Sequence, residues 1–381
     1  MASPIHQVKN ADGFDLFSDN MSDKKRAKEV LMIYPGNYED ETSSELDMYR
    51  MMARILSHRY AVRVLDLPEI GYKQPSRLSK GIPETYRVYF QMIPHSWTKI
   101  LRSTLTARDA IYTGFVPLVA FVVLIKRLFR LKVKVVAYIA GVPMDARFII
   151  RSFHRILSLL AIPSCNAVIF EYGKARSAYS RYSKHSILAS LITIDTDSTA
   201  KYATSRISAP LHRGRERISV GLVGPFRSVN RPAIRYIQQN LGKFCERLDF
   251  VFIGEVAKTD IVASDRMRFV GRVADLAESL SNLDCLIIPR FYKAGSPMRK
   301  MVYAMAVGLP VVTNETEGMA VRKNKDALIG ELQDLPELVN SLVANPGRMK
   351  EIGTNARLYV ARHHDSAVTT TVVLEAMKDI M

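Results

Sequence analysis

The fold is decided by RFYKAGSPMRKMVYAMAVGLPVVT, residues 290–313, which contains a loop, a helix, a turn and a strand. The apolar run before it, Leu283–Pro289, predicts a buried strand. Ser296 is predicted to cap the helix, with Pro297 in its first turn and Gly308 just beyond its end. Apolar residues follow at helical spacing: Met298, Met301, Val302, Met305 and Ala306. The order predicts a β-α-β unit whose helix N-terminus opens at the edge of a sheet.

Two cations, Arg299 and Lys300, lie in the first turn of this predicted helix. The positive end of the helix dipole disfavours cations there, whereas the free N–H groups at the same end favour an anion. Arg290 and Lys293 add charge from the preceding loop. We therefore expect an anionic ligand that compensates these cations. The alternative that the sequence leaves open is that Arg299 and Lys300 are solvated.

The pattern Gly-Ser-Pro-x-x-Lys-x-x-Tyr-Ala-Met-Ala-x-Gly-x-Pro-Val-Val begins at Gly295. It resembles the donor-site signature of glycosyltransferase family 4 and its relatives with the GT-B fold. The resemblance implies an α/β chain of two Rossmann-like, doubly wound domains facing a central cleft. It also implies that Lys300 acts in catalysis by stabilising the leaving diphosphate. Donor contacts implied in the same stretch are Gly295, Ser296, Pro297, Arg299 and Tyr303.

The sequence departs from the family pattern at two places. Most family members carry paired Glu residues where Gly295 and Tyr303 stand here. The second Glu normally contacts the donor ribose, so Tyr303 is expected to replace it only in part. The inverting glucuronosyltransferase of xanthan synthesis shows a similar loss with the Lys kept. The resemblance therefore leaves open whether transfer retains or inverts the anomeric configuration.

A second basic loop is predicted after the strand Ile218–Val223. Gly224 allows close backbone approach, while Arg227 and Arg231 are donors suited to phosphate, and Asn230 is predicted to cap the next helix. The alternative is a basic loop exposed to water. The family resemblance implies donor contacts from Gly224, Pro225, Arg227, Arg231, Gly271 and Arg272.

The charge of the chain is uneven. Lys and Arg number 54 against 37 Asp and Glu, a formal net charge of +17. Between Tyr72 and Ser190 there are 19 basic residues and only four acids, Glu84, Asp109, Asp145 and Glu171. Such a field favours an anionic surface, either phospholipid or nucleic acid. Because aliphatic rather than aromatic side chains alternate with the cations, we expect a membrane surface and no nucleic acid.

Two predicted helices in this basic region are amphipathic. One runs from about Pro117 to Arg130, and the other carries Arg147, Arg151 and Arg155 along one side. A basic amphipathic helix is typical of a membrane surface, although packing of its apolar side on a sheet is the alternative. No run reaches the roughly 20 apolar residues that a spanning helix needs.

Asp145 follows a predicted strand and a Gly/Pro loop, which places it at the ligand-binding edge of the first domain. A carboxylate there is suited to take a proton from an acceptor hydroxyl. The equally open alternative is that Asp145 caps the helix that begins near Arg147. Members of the family that this sequence resembles often place an Asp or His near this point, which makes Asp145 the predicted catalytic base.

The sequence predicts a flexible leader at 1–28, an acceptor-binding domain at 29–208 and a donor-binding domain at 209–381, whose last helix crosses back. Isolated cysteines and the lack of an apolar leader indicate a reducing cytosol. The expected function is transfer of a sugar from a nucleoside diphosphate sugar, its co-substrate, to a lipid-linked glycan at the cytosolic membrane face. No other cofactor and no metal are expected. The alternatives are a nucleotide-sugar epimerase, or a non-catalytic protein that binds a membrane or nucleic acid.

Overall fold

The computed structural model describes residues 6–7, 28–35, 46–67, 96–139, 148–171, 173–190, 192–208, 216–224, 226, 230–256, 264–291, 298–316 and 319–381. The chain divides into two compact units, Met1–Leu191 with Thr370–Met381, and Ile192–Thr369. The sequence placed the boundary after residue 208. In the structure the helix α6, Ala200–Ser208, groups with the second unit instead.

The first unit contains a seven-stranded sheet in the order β1-β3-β2-β4-β5-β6-β7. Its strands are β1 (His6–Gln7), β2 (Glu29–Pro35), β3 (Ala61–Leu67), β4 (Ala110–Gly114), β5 (Lys134–Ile139), β6 (Ala167–Phe170) and β7 (Ser186–Leu188). Only β1 pairs antiparallel within this sheet. It lies inside the predicted leader, and two polar residues gave no strand signal. The other strands form the parallel sheet that the buried apolar runs predict.

Helices cover both faces of this sheet. They are α1 (Leu46–Ser57), α2 (residues 96–106), α3 (Val116–Leu128), α4 (Phe148–Ala161), α5 (Gly173–Tyr179) and α12 (Ser366–Lys378). Along β2, Leu31 and Ile33 join the core under α3, whereas Val30 and Met32 join the core under α1 and α12. Successive side chains of a strand point to opposite faces, so one apolar strand serves both cores.

The second unit contains a parallel six-stranded sheet in the order β10-β9-β8-β11-β12-β13. Its strands are β8 (Ile218–Val223), β9 (Leu248–Ile253), β10 (Met267–Gly271), β11 (Cys285–Ile288), β12 (Val311–Thr313) and β13 (Leu328–Ile329). Its remaining helices are α7 (Arg231–Asn240), α8 (Leu276–Ser281), α9 (Arg299–Ala306), α10 (Leu335–Val343) and α11 (Pro346–His363). This is the Rossmann strand order. From β8 the chain adds β9 and β10 on one side, and it then crosses to the other side of β8 to add β11, β12 and β13.

Helix α9 is the helix predicted within residues 290–313, but it begins later than predicted. Its N-cap residue is Met298, with extended φ and ψ of −90° and 104°, so the prediction of Ser296 as the cap is wrong. Met298 is buried, and its place in the core keeps the chain extended up to the first helical residue, Arg299. At the other end Gly308 has φ of 71°, the left-handed conformation predicted beyond the helix end.

Among the helices that the structure describes, none combines the length and apolar character needed to cross a bilayer.

Candidate functional site

The candidate site lies in the second unit, at the carboxyl ends of β8 and β11. These two strands are hydrogen-bonded neighbours, and the winding of the sheet reverses between them. Open α/β sheets bind ligands in the crevice outside such a reversal, because the loops after the two strands turn in opposite directions. The loop after β8 begins at Gly224, and the loop after β11 contains Arg290. The predicted donor loops therefore leave the sheet at its ligand-binding edge.

Lys300 is the described cation that connects these two loops. It lies in the first turn of α9, and its Nζ donates a hydrogen bond of 3.1 Å to Oδ1 of Asn230, after the β8 loop. Its side chain is partly buried. Burial, followed by repulsion from Arg290, lowers the pKa of Lys300 from its ordinary value of 10.5 to about 8. A desolvated ammonium next to a second cation is stabilised by an anion in contact with it.

Asn230 occupies the N-cap position of α7, as predicted, but its side chain does not cap the helix. Its backbone is helical, with φ of −97° and ψ of −13°, whereas a capping side chain requires an extended backbone. The amide is instead directed to Lys300 and lies close to Gly224, where a Cβ atom would stand 3.1 Å from Asn230 Nδ2. The sequence identified the position of Asn230 but missed this contact.

Arg290 is the second cation near Lys300, and it is only 6% exposed. A pair of hydrogen bonds fixes its backbone: Arg290 N–H donates to Asn314 Oδ1 at 2.8 Å, and Asn314 Nδ2 donates to the Arg290 carbonyl at 2.9 Å. Asn314 follows β12, so this amide joins two adjacent loops of the ligand edge. These bonds fix the backbone from which the buried Arg290 side chain extends.

Three glycines bring the loops after β8, β9 and β10 into backbone contact. Gly224 N–H donates to the Ile253 carbonyl at 3.0 Å, and Gly254 N–H donates to the Gly271 carbonyl at 2.7 Å. Gly254 has φ of 131°, and a Cβ atom there would lie 1.5 Å from the Gly224 carbonyl oxygen. Only glycine fits, because the two backbones are already in contact. Gly254 was not predicted; the signal available was a glycine directly after the buried strand β9.

The other predicted donor residues have different surroundings. Arg272 is paired with Glu255 at 2.6 Å at the exposed surface beyond β10. Arg231 is the exposed first residue of α7, while Arg299 and Tyr303 are partly buried on α9. Tyr303 lies three residues after Lys300, hence on the same side of the helix. Outside the described residues lie Asp145, Pro225, Arg227, Gly295, Ser296 and Pro297, whose roles stay predictions.

Within the part of the chain that the structure describes, no group of three or more His, Cys, Asp or Glu side chains is placed to hold a metal ion. Lys300 and Arg290 are two buried or partly buried cations of this edge that influence each other. A helix N-terminus with basic side chains is an arrangement suited to an anion.

Solved structures share this fold along almost the whole chain. HepE from Anabaena, in complex with UDP, is 15% identical, with a TM-score of 0.65 over 92% of this chain and 100% of that chain. Sucrose-phosphate synthase from Thermosynechococcus elongatus is 14% identical, with a TM-score of 0.65 over 93% and 99%. The lipopolysaccharide outer core galactosyltransferase WaaB is 10% identical, with a TM-score of 0.64 over 93% and 100%. The chain thus has the GT-B fold of glycosyltransferases, as predicted.

Residues 217–345 match the family model described as glycosyl transferases group 1. That range contains the β8 loop, the three glycines and α9 with Lys300. This match confirms the predicted family resemblance for the second unit, and the chain shares its fold with solved glycosyltransferase structures. The likeness to the xanthan-type enzyme stays a prediction. A search of curated protein sequences finds no match.

Proposed function

We propose that the protein transfers a sugar from a nucleoside diphosphate sugar to a lipid-linked glycan acceptor at the cytosolic face of a membrane. The observation that carries the donor assignment is Lys300. Its ammonium group is partly buried in the first turn of α9 and is influenced by the buried cation Arg290. It lies at the edge where the strand order changes direction, between β8 and β11. Arg290 repels the Lys300 ammonium, which an anionic ligand would offset, and HepE binds UDP and UDP-glucose on the same fold.

In this proposal the donor diphosphate lies between the N-terminus of α9 and the loop that starts at Gly224. Asn230 Oδ1 occupies, in the free protein, the place of an anionic oxygen on Lys300 Nζ. A diphosphate oxygen is the stronger acceptor because it carries charge. The same contact becomes stronger as the sugar leaves and negative charge grows on the β-phosphate. Lys300 then stabilises the leaving group, and Asn230 keeps it aimed when no donor is bound.

The proposed reaction needs no bound metal ion. In many phosphate-handling sites a divalent cation neutralises the leaving group, but here Lys300, Arg290 and the dipole of α9 offer positive charge. Asp145, the base that the sequence predicts, would accept the proton of the attacking hydroxyl.

Two features support an acceptor that is bound to lipid. The basic excess lies between Tyr72 and Ser190, in the first unit, away in sequence from the donor site. Cations at this density attract an anionic leaflet, each contributing about 1 kcal/mol near the surface. WaaB, which shares the fold, is a lipopolysaccharide galactosyltransferase. A glycan carried by a lipid is therefore the acceptor class that we propose.

The test begins with thermal unfolding in the presence of UDP, GDP, ADP, CMP and their sugar conjugates. A ligand at 100 times its dissociation constant stabilises a protein by about 2.7 kcal/mol, which shifts the midpoint visibly. Lys300→Ala should abolish the shift, while Lys350→Ala, an exposed lysine of α11, should keep it. A shift that survives Lys300→Ala would contradict the donor assignment.

The identified nucleotide sugar is then incubated with membrane extracts and with a soluble sugar acceptor. Radiolabel in the lipid phase supports the lipid-linked acceptor, and NMR of the product gives the anomeric configuration. Epimerised sugar released without any acceptor would instead establish the epimerase alternative.

A further inference from the structure

Helices α3 and α4 of the first unit have an apolar side that is open to solvent. Both helices pack on the same sheet face, where α3 buries Val119, Val122 and Ile125. Other apolar side chains of α3 are not buried in this core. Large apolar side chains remain exposed on and beside the two helices: Leu124, Leu128, Phe129, Phe153, Ile156 and Leu160. We call this set the α3–α4 face.

The face is continuous across the two helices. A groove of about 440 Å³ lies between them, and its lining includes Phe121, Leu124, Phe153, Leu157 and Leu160. Among the described residues, Arg127 is the one charged residue in that lining. Leu128 is 69% exposed and Leu160 58%, so these residues extend the groove outward instead of closing it. Exposed apolar surfaces of this kind mark sites where another apolar phase or molecule binds.

The rim of the α3–α4 face is basic. Exposed cations on α3, on α4 and on the chain that follows α3 are Arg127, Arg130, Lys132, Lys134 and Arg155. The sequence has no Asp or Glu in 116–139 or in 148–170. Arg127 is held at its place by a hydrogen bond to Ser164 Oγ, and Lys126 by a 3.1 Å bond to Asn166 Oδ1. An apolar centre with a purely positive rim matches an acyl-chain layer bounded by anionic headgroups.

We propose that the α3–α4 face inserts into an anionic lipid leaflet, with the exposed side chains in the acyl boundary and the rim cations on the headgroups. The proposal rests on the proposed function for the presence of a membrane-borne acceptor. A second copy of the chain is the weaker occupant, because two such faces would bring two positive rims together. Nucleic acid is also a weaker candidate than a membrane, because the centre of the α3–α4 face is largely aliphatic and offers little surface for stacking bases.

The first experiment is vesicle sedimentation with phosphatidylcholine alone and with added phosphatidylglycerol. Leu128→Glu and Ile156→Glu should each weaken binding to anionic vesicles by about tenfold or more, since each removes a large inserted side chain. Leu358→Glu is the matched control, an exposed leucine on α11 in the second unit. It should bind as the unmodified protein does. Equal binding by all of these variants would overturn the proposal.

The basic rim is tested by the pair Lys132→Gln with Arg155→Gln. Loss of two near-surface cations should weaken binding about 25-fold at low salt, roughly fivefold for each charge. The control pair Arg348→Gln with Lys350→Gln removes the same charge from exposed positions of α11. An equal loss in both pairs would indicate attraction by net charge alone and would overturn the role of this rim.

Insertion is separated from surface adsorption by fluorescence. Trp97 is the one tryptophan of the chain, so Trp97→Phe gives a silent background. Leu128→Trp in that background should be quenched by lipids brominated in the acyl chain, whereas Leu358→Trp should not. An unquenched Leu128→Trp on bound vesicles would refute insertion. Light scattering measures the oligomeric state of the same variants in solution. A dimer that Leu128→Glu converts to a monomer would show that a second copy of the chain covers the face, which would overturn the membrane proposal.

The shift in thermal unfolding midpoint that nucleotide causes in each variant distinguishes the two proposals. Vesicle binding without any nucleotide shift would contradict the proposed function and leave the α3–α4 face supported. A nucleotide shift without vesicle binding would overturn the face and leave the donor site intact.

Discussion

Binding of the donor diphosphate should weaken steeply above about pH 8, and Lys300 is the reason. In the free protein its pKa is lowered to about 8, first by burial and then by Arg290. A bound diphosphate is an opposite charge in contact with Nζ, so it raises the pKa of Lys300 back towards its ordinary value of 10.5. Above pH 8 the free protein has lost this proton and must take it up again on binding.

The size of the effect follows from that difference in pKa. Below pH 8 Lys300 is protonated in both states, so the affinity is flat. Between pH 8 and about 10.5 each pH unit should raise the dissociation constant about tenfold, which amounts to about 30-fold at pH 9.5. The stability of the free protein changes in the opposite sense. The unfolded chain keeps the Lys300 proton up to pH 10.5, so it binds more protons than the folded chain and stability rises with pH in this window.

The assay is isothermal titration calorimetry with the nucleoside diphosphate identified by thermal shift, at half-unit steps from pH 7 to 10. Buffers with different ionisation enthalpies count the proton taken up directly. Lys300→Met should bind weakly at all pH values and lose the slope, and subtracting its curve removes titration of the nucleotide base itself. Lys350→Met should follow the unmodified protein.

Equal slopes in the unmodified protein and in Lys300→Met would refute the reasoning, because another group would then carry the proton. A slope that begins near pH 10 would also refute it, since Lys300 would then not be desolvated in the free protein.

The remaining predictions concern stability and metal dependence. Gly254→Ala should lower the free energy of unfolding by more than Gly271→Ala, since a Cβ at Gly254 overlaps a backbone oxygen whereas a Cβ at Gly271 meets nothing within 4 Å. Both have positive φ, so both cost about 1 to 3 kcal/mol from strain, and equal melting points would contradict the overlap. Burial lowers the pKa of His154 and of His364 to about 4, so stability should fall from pH 6.5 towards 4 as the unfolded chain takes up protons first. Acid titrations of His154→Gln should show a shallower fall. Added EDTA should leave turnover unchanged, measured as nucleotide release, and a loss restored by Mg²⁺ would contradict the proposed chemistry.

The sequence predicts the elements of the second unit well, because buried parallel strands are apolar runs bounded by Gly and Pro. It places Lys300 correctly in the first turn of α9. It misplaces the start of that helix, because the rule for Ser-Pro pairs is local while the burial of Met298 is a tertiary property. The residue at which a helix begins is therefore harder to predict than the presence of the helix.

Contacts between distant loops are not predictable from one sequence. The approach of Gly254 to Gly224 joins residues on two strands and depends on how far the loops turn after leaving the sheet. The bond from Lys300 to Asn230 spans 70 residues and replaces a local interaction, the helix cap, that the sequence favoured. In both cases the decisive partner lies on another strand, where propensity and spacing carry no information.

The sequence shows how many cations the chain has and where they are concentrated, whereas the structure separates these cations into buried and exposed ones. In the second unit Lys300 is partly buried and Arg290 is buried; Asn230 bonds the Lys300 ammonium, and Asn314 bonds the backbone of Arg290. Cations fixed in this way lose solvation before any ligand arrives, and so favour a particular anion at a particular place. In the first unit Arg155 and its neighbours are exposed around apolar side chains, which suits a broad anionic surface without a fixed geometry. The difference predicts different salt dependence: vesicle binding should fall sharply between 50 and 300 mM NaCl, whereas nucleotide binding at the buried pair should fall much less.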